Sequence, residues 1–284
     1  MIKYISPSSF GLWNRDRLGW YRKYMSKIPE PREPQTRPMA LGSGFDALIK
    51  SWLSERLTGV PLPLLWEQQV DEPWRIEVLS DAAAVLAAYI ASGAPVRMMS
   101  ELSLSATDVR FEYTVSDNVT LGGVSIPLLG KPDVYFTLSD GVPVIYDWKV
   151  NGWYGKQAQS PKPGYLGHRD STPLFISGIE CNAARTIDSI DEAWGIQTGI
   201  YGWVLGAPVG SKFIVGIDQI VTGGRVAQFR GLLNRDWQLE LANRLKDMWI
   251  AISTGYIFTD LTREDSDALI ASFDDNAAFF SLLH

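Results

Sequence analysis

Asp133, Asp147 and Lys149 interrupt the apolar runs of "GKPDVYFTLSDGVPVIYDWK", residues 130–149, whose other charged residues are Lys131 and, in the turn, Asp140. In an extended strand, residues two apart share a face, so Asp147 and Lys149 point the same way. The "SDG" turn folds the preceding strand back alongside, which brings Asp133 to the same place. A surface ion pair and a turn aspartate would account for such residues in isolation. "VIYDWKV" is apolar apart from the pair, however, so that face is expected to be partly buried. Burying ions is costly unless they are paired or bind a metal. Two adjacent carboxylates repel, and a divalent cation relieves the repulsion. Oxygen ligands suit Mg²⁺ or Mn²⁺. A neighbouring ammonium could orient or deprotonate an attacking water and offset charge on a phosphoryl group. The chemistry expected is metal-assisted phosphodiester hydrolysis.

Other residues could join this group. In "MALGSGFDALIKSWLSERL", Leu41, Phe45, Leu48, Ile49, Trp52 and Leu53 recur at helical spacing. Asp46 lies at the border of that stripe, and Gly42 on the same side would permit close backbone approach. Asp46 is expected to reach the sheet edge; the alternative is a solvated helix aspartate. In "QTGIY", Gln197 and Tyr201 stack on one helical face. A Gln within an apolar stripe needs a partner, whether a phosphate, the attacking water or a backbone carbonyl. Glu101 opens "ELSLSATDVRFEYTVS", whose alternation reads as a strand pair, and could supply a further acid.

These residues need a scaffold. Helical stretches flank a central run of strands, which implies an α/β or α+β sandwich in one domain over 1–284. Residues 1–38 read as a basic and aromatic helix followed by a Pro-rich linker. Helices are expected near 80–92, in "IDEAWGIQTGIYGWVLG", after Asn234 as a cap, and after "TREDSDALIASF". Residues 150–190, rich in Gly, Pro, Ser and Asn, read as a loop insertion. Its Lys156, Lys162, His168 and Arg169 could contact nucleic acid; an oligomer-forming loop is equally compatible.

The net charge of −6 argues against a basic coat protein, yet it is uneven. Residues 1–50 carry nine Lys/Arg against four Asp/Glu, and the remainder carries 17 against 28. A local groove for a polyanion is thus possible on an acidic body; a basic surface helix would give the same count. Arg15, Arg17, Arg22 and Lys23 could contact phosphates. Trp13, Trp20 or Tyr21 could stack on a base or pack in the core. The single cysteine, Cys181, cannot form an internal disulfide or an iron–sulfur site. No apolar run reaches the roughly 18 residues of a membrane span, and "MIKYISPSSFGLW" lacks the apolar run of a secretory signal. A cytoplasmic protein is expected.

"PD", thirteen residues, then "DWK" resembles the signature of the PD-(D/E)xK nuclease superfamily, and the Gly of "GKPD" matches as well. "GSGFDALI" resembles the glycine-plus-acidic helix of RecB-like and lambda-exonuclease-like members, with Asp46 where RecB-like nucleases usually have His. "QTGIY" resembles the Q-x-x-x-Y motif of RecB-like nucleases, and "SPSSFGLWNRDRLGWYRKY" their N-terminal helix, without its Cys. The resemblance spans about residues 5–205. It implies a restriction-endonuclease-like core, a central mixed β-sheet flanked by helices. It also implies a Mg²⁺-dependent deoxyribonuclease, with Mn²⁺ substituting and no iron–sulfur cluster. The branch implied is that of viral (phage) exonucleases in recombination, repair or degradation, which would act in the host cytoplasm. Asp133 and Asp147 would ligate the metal with the carbonyl of Trp148 and with Asp46. Lys149 would activate water, Gln197 would hold the water or scissile phosphate, and Tyr201 would contact the DNA backbone. The partner is DNA, with a single-strand-binding or annealing protein compatible and no membrane. Two other readings fit the composition: an inactive nucleic-acid-binding protein on a nuclease fold, and a carbohydrate-active hydrolase using a carboxylate pair.

Overall fold

The computed structural model describes residues 2–27, 32–104, 106–151, 192–221 and 225–281. The expected insertion at 150–190, with Lys156, Lys162, His168, Arg169 and Cys181, lies outside the described residues from position 152 onward.

Five strands form the central sheet: β1 (Ala106–Phe111), β4 (Val134–Leu138), β5 (Pro143–Asn151), β6 (Ile214–Val221) and β7 (Arg225–Leu232), in the order β1-β4-β5-β6-β7. β5 and β6 run parallel, and the other neighbours are antiparallel, so the sheet is mixed. A parallel pair requires a crossover connection, and this one contains helix α7 (Glu192–Val204). β2 (Val115–Leu121) and β3 (Val124–Gly130) form a separate antiparallel ribbon instead of extending the sheet. Ile5 bridges to this ribbon, its N–H donating to the Pro127 carbonyl at 2.8 Å.

Helices cover both faces. Helix α1 (Pro7–Arg15) starts with Ser6, whose hydroxyl accepts from the Ser9 N–H, and with a proline in its first turn. Asp16 caps α2 (Arg17–Tyr24) in the same way. These two, with α7, α8 (Arg235–Thr254, capped by Asn234) and the ribbon, share a core with Ile145, Val215 and Ile217 of the sheet. The N-terminal segment is therefore two helices where the sequence reads as one. α9 (Arg263–Ser281) packs against the same core through Leu269, Ile270 and Phe273.

The opposite face holds α3 (Arg37–Thr58), α5 (Leu79–Ala91) and α6 (Ala94–Leu104). Their Leu41, Phe45, Ile49, Val85, Tyr89 and Met98 pack on Val144, Tyr146 and Trp148 of β5. A short α4 (Leu64–Gln69) lies against α3. Gly44 of α3 allows this packing, since a β-carbon there would come within 3.0 Å of the Trp66 ring. Gly42, the expected point of close approach, has nothing within 4 Å of where a β-carbon would be. Glu101 lies in α6, not at the start of a strand. Alternation in "ELSLS" is overridden because Met98 and Leu102, one helical turn apart, bury in this core.

Candidate functional site

β4 and β5 pair with Val134 opposite Tyr146, so Asp133 and Asp147 lie next in register at one end of the hairpin. Strand parity sorts the rest. Val144, Tyr146 and Trp148 face the α3 side, while Ile145 faces α7, and Asp147 and Lys149 follow Ile145. Asp147 is 2% exposed. Lys149 Nζ lies 2.5 Å from Asp147 Oδ2 and donates to Gln197 Oε1 at 2.7 Å. Gln197 Nε2 donates to Asp147 Oδ1 and to Tyr201 Oη, each at 3.0 Å. The half-buried Gln197 is thus satisfied by the acid–lysine pair and Tyr201 rather than by a backbone carbonyl. α7 comes this close because residue 130 is glycine: a β-carbon there would lie 2.9 Å from the Tyr201 ring.

Asp133 joins this group to a second one. Its Oδ2 accepts from the Trp148 N–H at 3.0 Å, so the backbone of Trp148 meets the site through its amide, whereas the sequence reading uses its carbonyl. Its Oδ1 accepts from Lys50 Nζ at 2.8 Å. Lys50 stands one turn after Asp46 on α3 and also donates to Asp46 Oδ2 and Glu112 Oε1. Gln69 Nε2 donates to Glu112 Oε1 at 2.7 Å, and Lys131 pairs with Glu112 Oε2. Glu112 follows β1 with φ 50°, a left-handed conformation costing a non-glycine residue about 1–3 kcal/mol. One oxygen from each of Asp46, Glu112 and Asp133 lies within 4.8 Å of the others. Among the described residues, the acids that gather closely enough to share a cation are therefore these three. Asp147, expected as a ligand with Asp133, adjoins them with both oxygens engaged by Gln197 and Lys149.

The electrostatics follow from this packing. Burial pushes the Asp46 carboxyl well above the usual carboxylate range, and Asp133 adds to the shift against the pull of Lys50. Burial also opposes ionisation of Glu112 and Asp133, but their lysines outweigh it. Lys50 and Lys131 hold Glu112 below its ordinary value, and Lys50 and Lys149 do so for Asp133. Burial disfavours charge on Lys50, yet its three carboxylates together raise its pKa and keep it an ammonium. Asp147 is pushed up to about 7, chiefly by burial and further by Asp133, with Lys149 opposing. Burial, with Asp147 and Asp133, raises Tyr201, which stays a neutral phenol.

A polar network supports β5 from the other face. Fully buried Asp218 of β6 accepts from both Tyr89 and Tyr146, and Trp148 Nε1 donates to Tyr89 Oη at 3.0 Å. This fixes Trp148, whose amide holds Asp133.

A groove of about 560 Å³ opens beside the site, running from Ser6 and Ser8 past Arg15 and Lys131 to Gln197 and Tyr201. Of the four cations expected to contact phosphate, Arg15 lines it. Arg17 lies over the Trp13 ring and donates to Thr259 Oγ1 at 3.1 Å; Arg22 lies over Phe273 and Lys23 over Tyr24. Trp13, Trp20 and Tyr21 are buried, with Trp13 and Trp20 edge to face at 4.8 Å, so they are core residues and not base-stacking platforms. Much of the N-terminal positive excess is spent internally: Arg32 pairs with Asp71, Arg37 with Glu77, and Lys50 with its three acids.

Sequence reading missed Lys50 and Glu112. Lys50 carried a signal, an ammonium one helical turn from Asp46 and beside the apolar Ile49 and Leu53. Glu112, between two aromatics in "RFEYT", carried little.

No family model matches the chain, and no curated protein does. Among solved structures it is similar to one titled "Crystal structure of SSO0001", at 12% identity and a TM-score of 0.27, with 84% of this chain and 85% of that chain covered. Likeness at that level carries no argument about function. No helix among the described residues is long and apolar enough to cross a membrane.

Proposed function

We propose that this chain is a divalent-metal-dependent deoxyribonuclease with a restriction-endonuclease-like core of the RecB-like and lambda-exonuclease-like kind, acting as an exonuclease. The observation that carries the reading is convergence. Asp46 from α3, Asp133 and Asp147 with Lys149 from one hairpin, and Gln197 with Tyr201 from α7 meet at one end of the sheet. A mixed five-stranded sheet with helices on both faces is compatible with that core.

The donor set fits a hard cation: three carboxylates lie within reach of one another, and Asp46 Oδ1 is buried without a hydrogen-bond partner. Asp46, Glu112 and Asp133 would hold Mg²⁺ or Mn²⁺, which would supply positive charge against the phosphoryl oxygens and acidify water. The chain's own groups do the rest. Lys149, held by Asp147 and Gln197, presents an ammonium to orient an attacking water and offset phosphoryl charge. Gln197 fixes that lysine. Tyr201 and Lys131 line the groove as a neutral donor and a cation for backbone phosphates, with Arg15 farther along.

Purified chain should degrade linear DNA with Mg²⁺ or Mn²⁺ and not with EDTA, and Asp133→Ala or Lys149→Ala should lose at least about a hundredfold in rate. Full activity in either variant would sink the mechanism. A second reading, DNA binding without cleavage, draws support from Lys50, an ammonium lying among the three acids. It predicts retention of DNA under every divalent metal with no cut strand.

A further inference from the structure

Lys50 lies at the centre of the acidic cluster. Its ammonium touches an oxygen of Asp46, of Glu112 and of Asp133, the three carboxylates whose oxygens gather within 4.8 Å. Its side chain is 0% exposed, while those of Asp46, Glu112 and Asp133 keep 20%, 13% and 18% of their surface in solvent. The ammonium thus comes from the protein side and the carboxylates face outward. Four acids (Asp46, Glu112, Asp133, Asp147) meet three lysines (Lys50, Lys131, Lys149), so the formal balance is only −1.

A divalent ion on the same oxygens would meet a positive charge at contact distance, in a site where water screens poorly. An oxygen already accepting a charged hydrogen bond also has less electron density to give a metal. The two cations therefore compete for one set of ligands. Lysine's flexible stem gives a way out that a planar guanidinium would lack.

We propose that Lys50 is a built-in counter-cation that competes with a divalent metal for Asp46, Glu112 and Asp133, so that a metal enters only as the Lys50 side chain swings away. The chain holds its acids together without metal and binds metal weakly as the consequence. This rests on the metal-dependent reading above and adds a determinant of affinity to it.

Calorimetric titration of the full chain with Mn²⁺, without DNA and at fixed pH and ionic strength, tests it. Lys50→Met, shown folded by circular dichroism, should bind Mn²⁺ about tenfold tighter or more than the wild type. Equal or weaker binding by folded Lys50→Met, with the wild type binding, overturns the competition and leaves the metal reading standing. It would mean that Lys50 organises the ligands instead. No binding by either protein overturns both. Should Lys50→Met not fold, reductive methylation of the wild type read by mass spectrometry decides the matter. Lys50 should be protected without metal and labelled at saturating Mn²⁺; protection persisting while calorimetry shows Mn²⁺ bound overturns the proposal.

Discussion

Replacing Asp147 by Asn removes a charge that the folded protein holds at a cost. Asp147 is 2% exposed, and burial with the charge of Asp133 lifts its pKa from 3.8 to about 7 despite Lys149. An acid whose folded pKa lies above its unfolded one contributes most to stability at low pH, and that contribution falls as pH rises between the two values. Well below pH 3.8 both states are protonated and nothing is lost. At pH 5 the deficit is roughly 1.5 kcal/mol, and above pH 7 it levels off at roughly 4 kcal/mol, at 1.36 kcal/mol per pH unit. Asn mimics the protonated acid in both states and should not suffer this loss. It also offers one accepting oxygen where Gln197 Nε2 and Lys149 Nζ use two, a constant penalty of about 1 kcal/mol. Asp147→Asn should therefore be near neutral at pH 5 and stabilising by roughly 3 kcal/mol at pH 8. Urea unfolding of both proteins at half-unit steps from pH 5 to 8.5 gives the difference directly. A stability difference flat across that range would refute the burial argument, and a variant less stable at pH 8 would show that Lys149 dominates Asp147.

The other side of β5 makes a separate claim. Asp218→Ala should cost about 3–5 kcal/mol in urea unfolding, because two buried tyrosine hydroxyls lose their acceptor. Gly130→Ala should cost about 1–3 kcal/mol and slow DNA cleavage, since its methyl group pushes Tyr201 and α7 off Lys149. Arg15→Ala should weaken DNA binding and reduce the slope of log affinity against log salt by about 1, while Arg17→Ala leaves that slope unchanged; fluorescence anisotropy over a salt series separates them.

The hairpin half of the site is legible in the sequence because its geometry is local. Strand parity puts Asp147 with Lys149, a three-residue turn sets Asp133 beside them, and helical spacing stacks Gln197 on Tyr201. Asp46 is readable for the same reason, at the border of a helical stripe. Glu112 is not, since its position depends on pairing of β1 with β4 and on a backbone φ of 50°. Lys50 sits between: its spacing from Asp46 is local, but the acids that neutralise it come from two other segments. The N-terminal aromatics mislead for an energetic reason. Trp13 and Trp20 are buried in the core that the ribbon, α7 and α8 share, and burying an indole there stabilises the fold more than a solvent-facing stacking role would allow.

Asp133 makes the two halves of the site interdependent. One oxygen accepts from Lys50, which gathers the α3-side acids; the other accepts from the Trp148 amide, which adjoins the Asp147–Lys149 pair. Removing Lys50 frees an oxygen of Asp133 and takes a positive charge from Asp46 and Glu112 together. Removing Lys149 takes the ammonium from buried Asp147 and leaves its bond from Gln197. The lysines are therefore not interchangeable counter-charges. Lys50, enclosed and tied to three acids, governs how strongly the site attracts another cation. Lys149, 21% exposed, is tied to one acid and to the amide of Gln197, which lines the groove. On the proposed reading, a phosphate entering the groove would meet Lys131 and a neutral Tyr201 on its wall, with Lys149 joined to that wall through Gln197, and these groups would offset the charge of so acidic a centre.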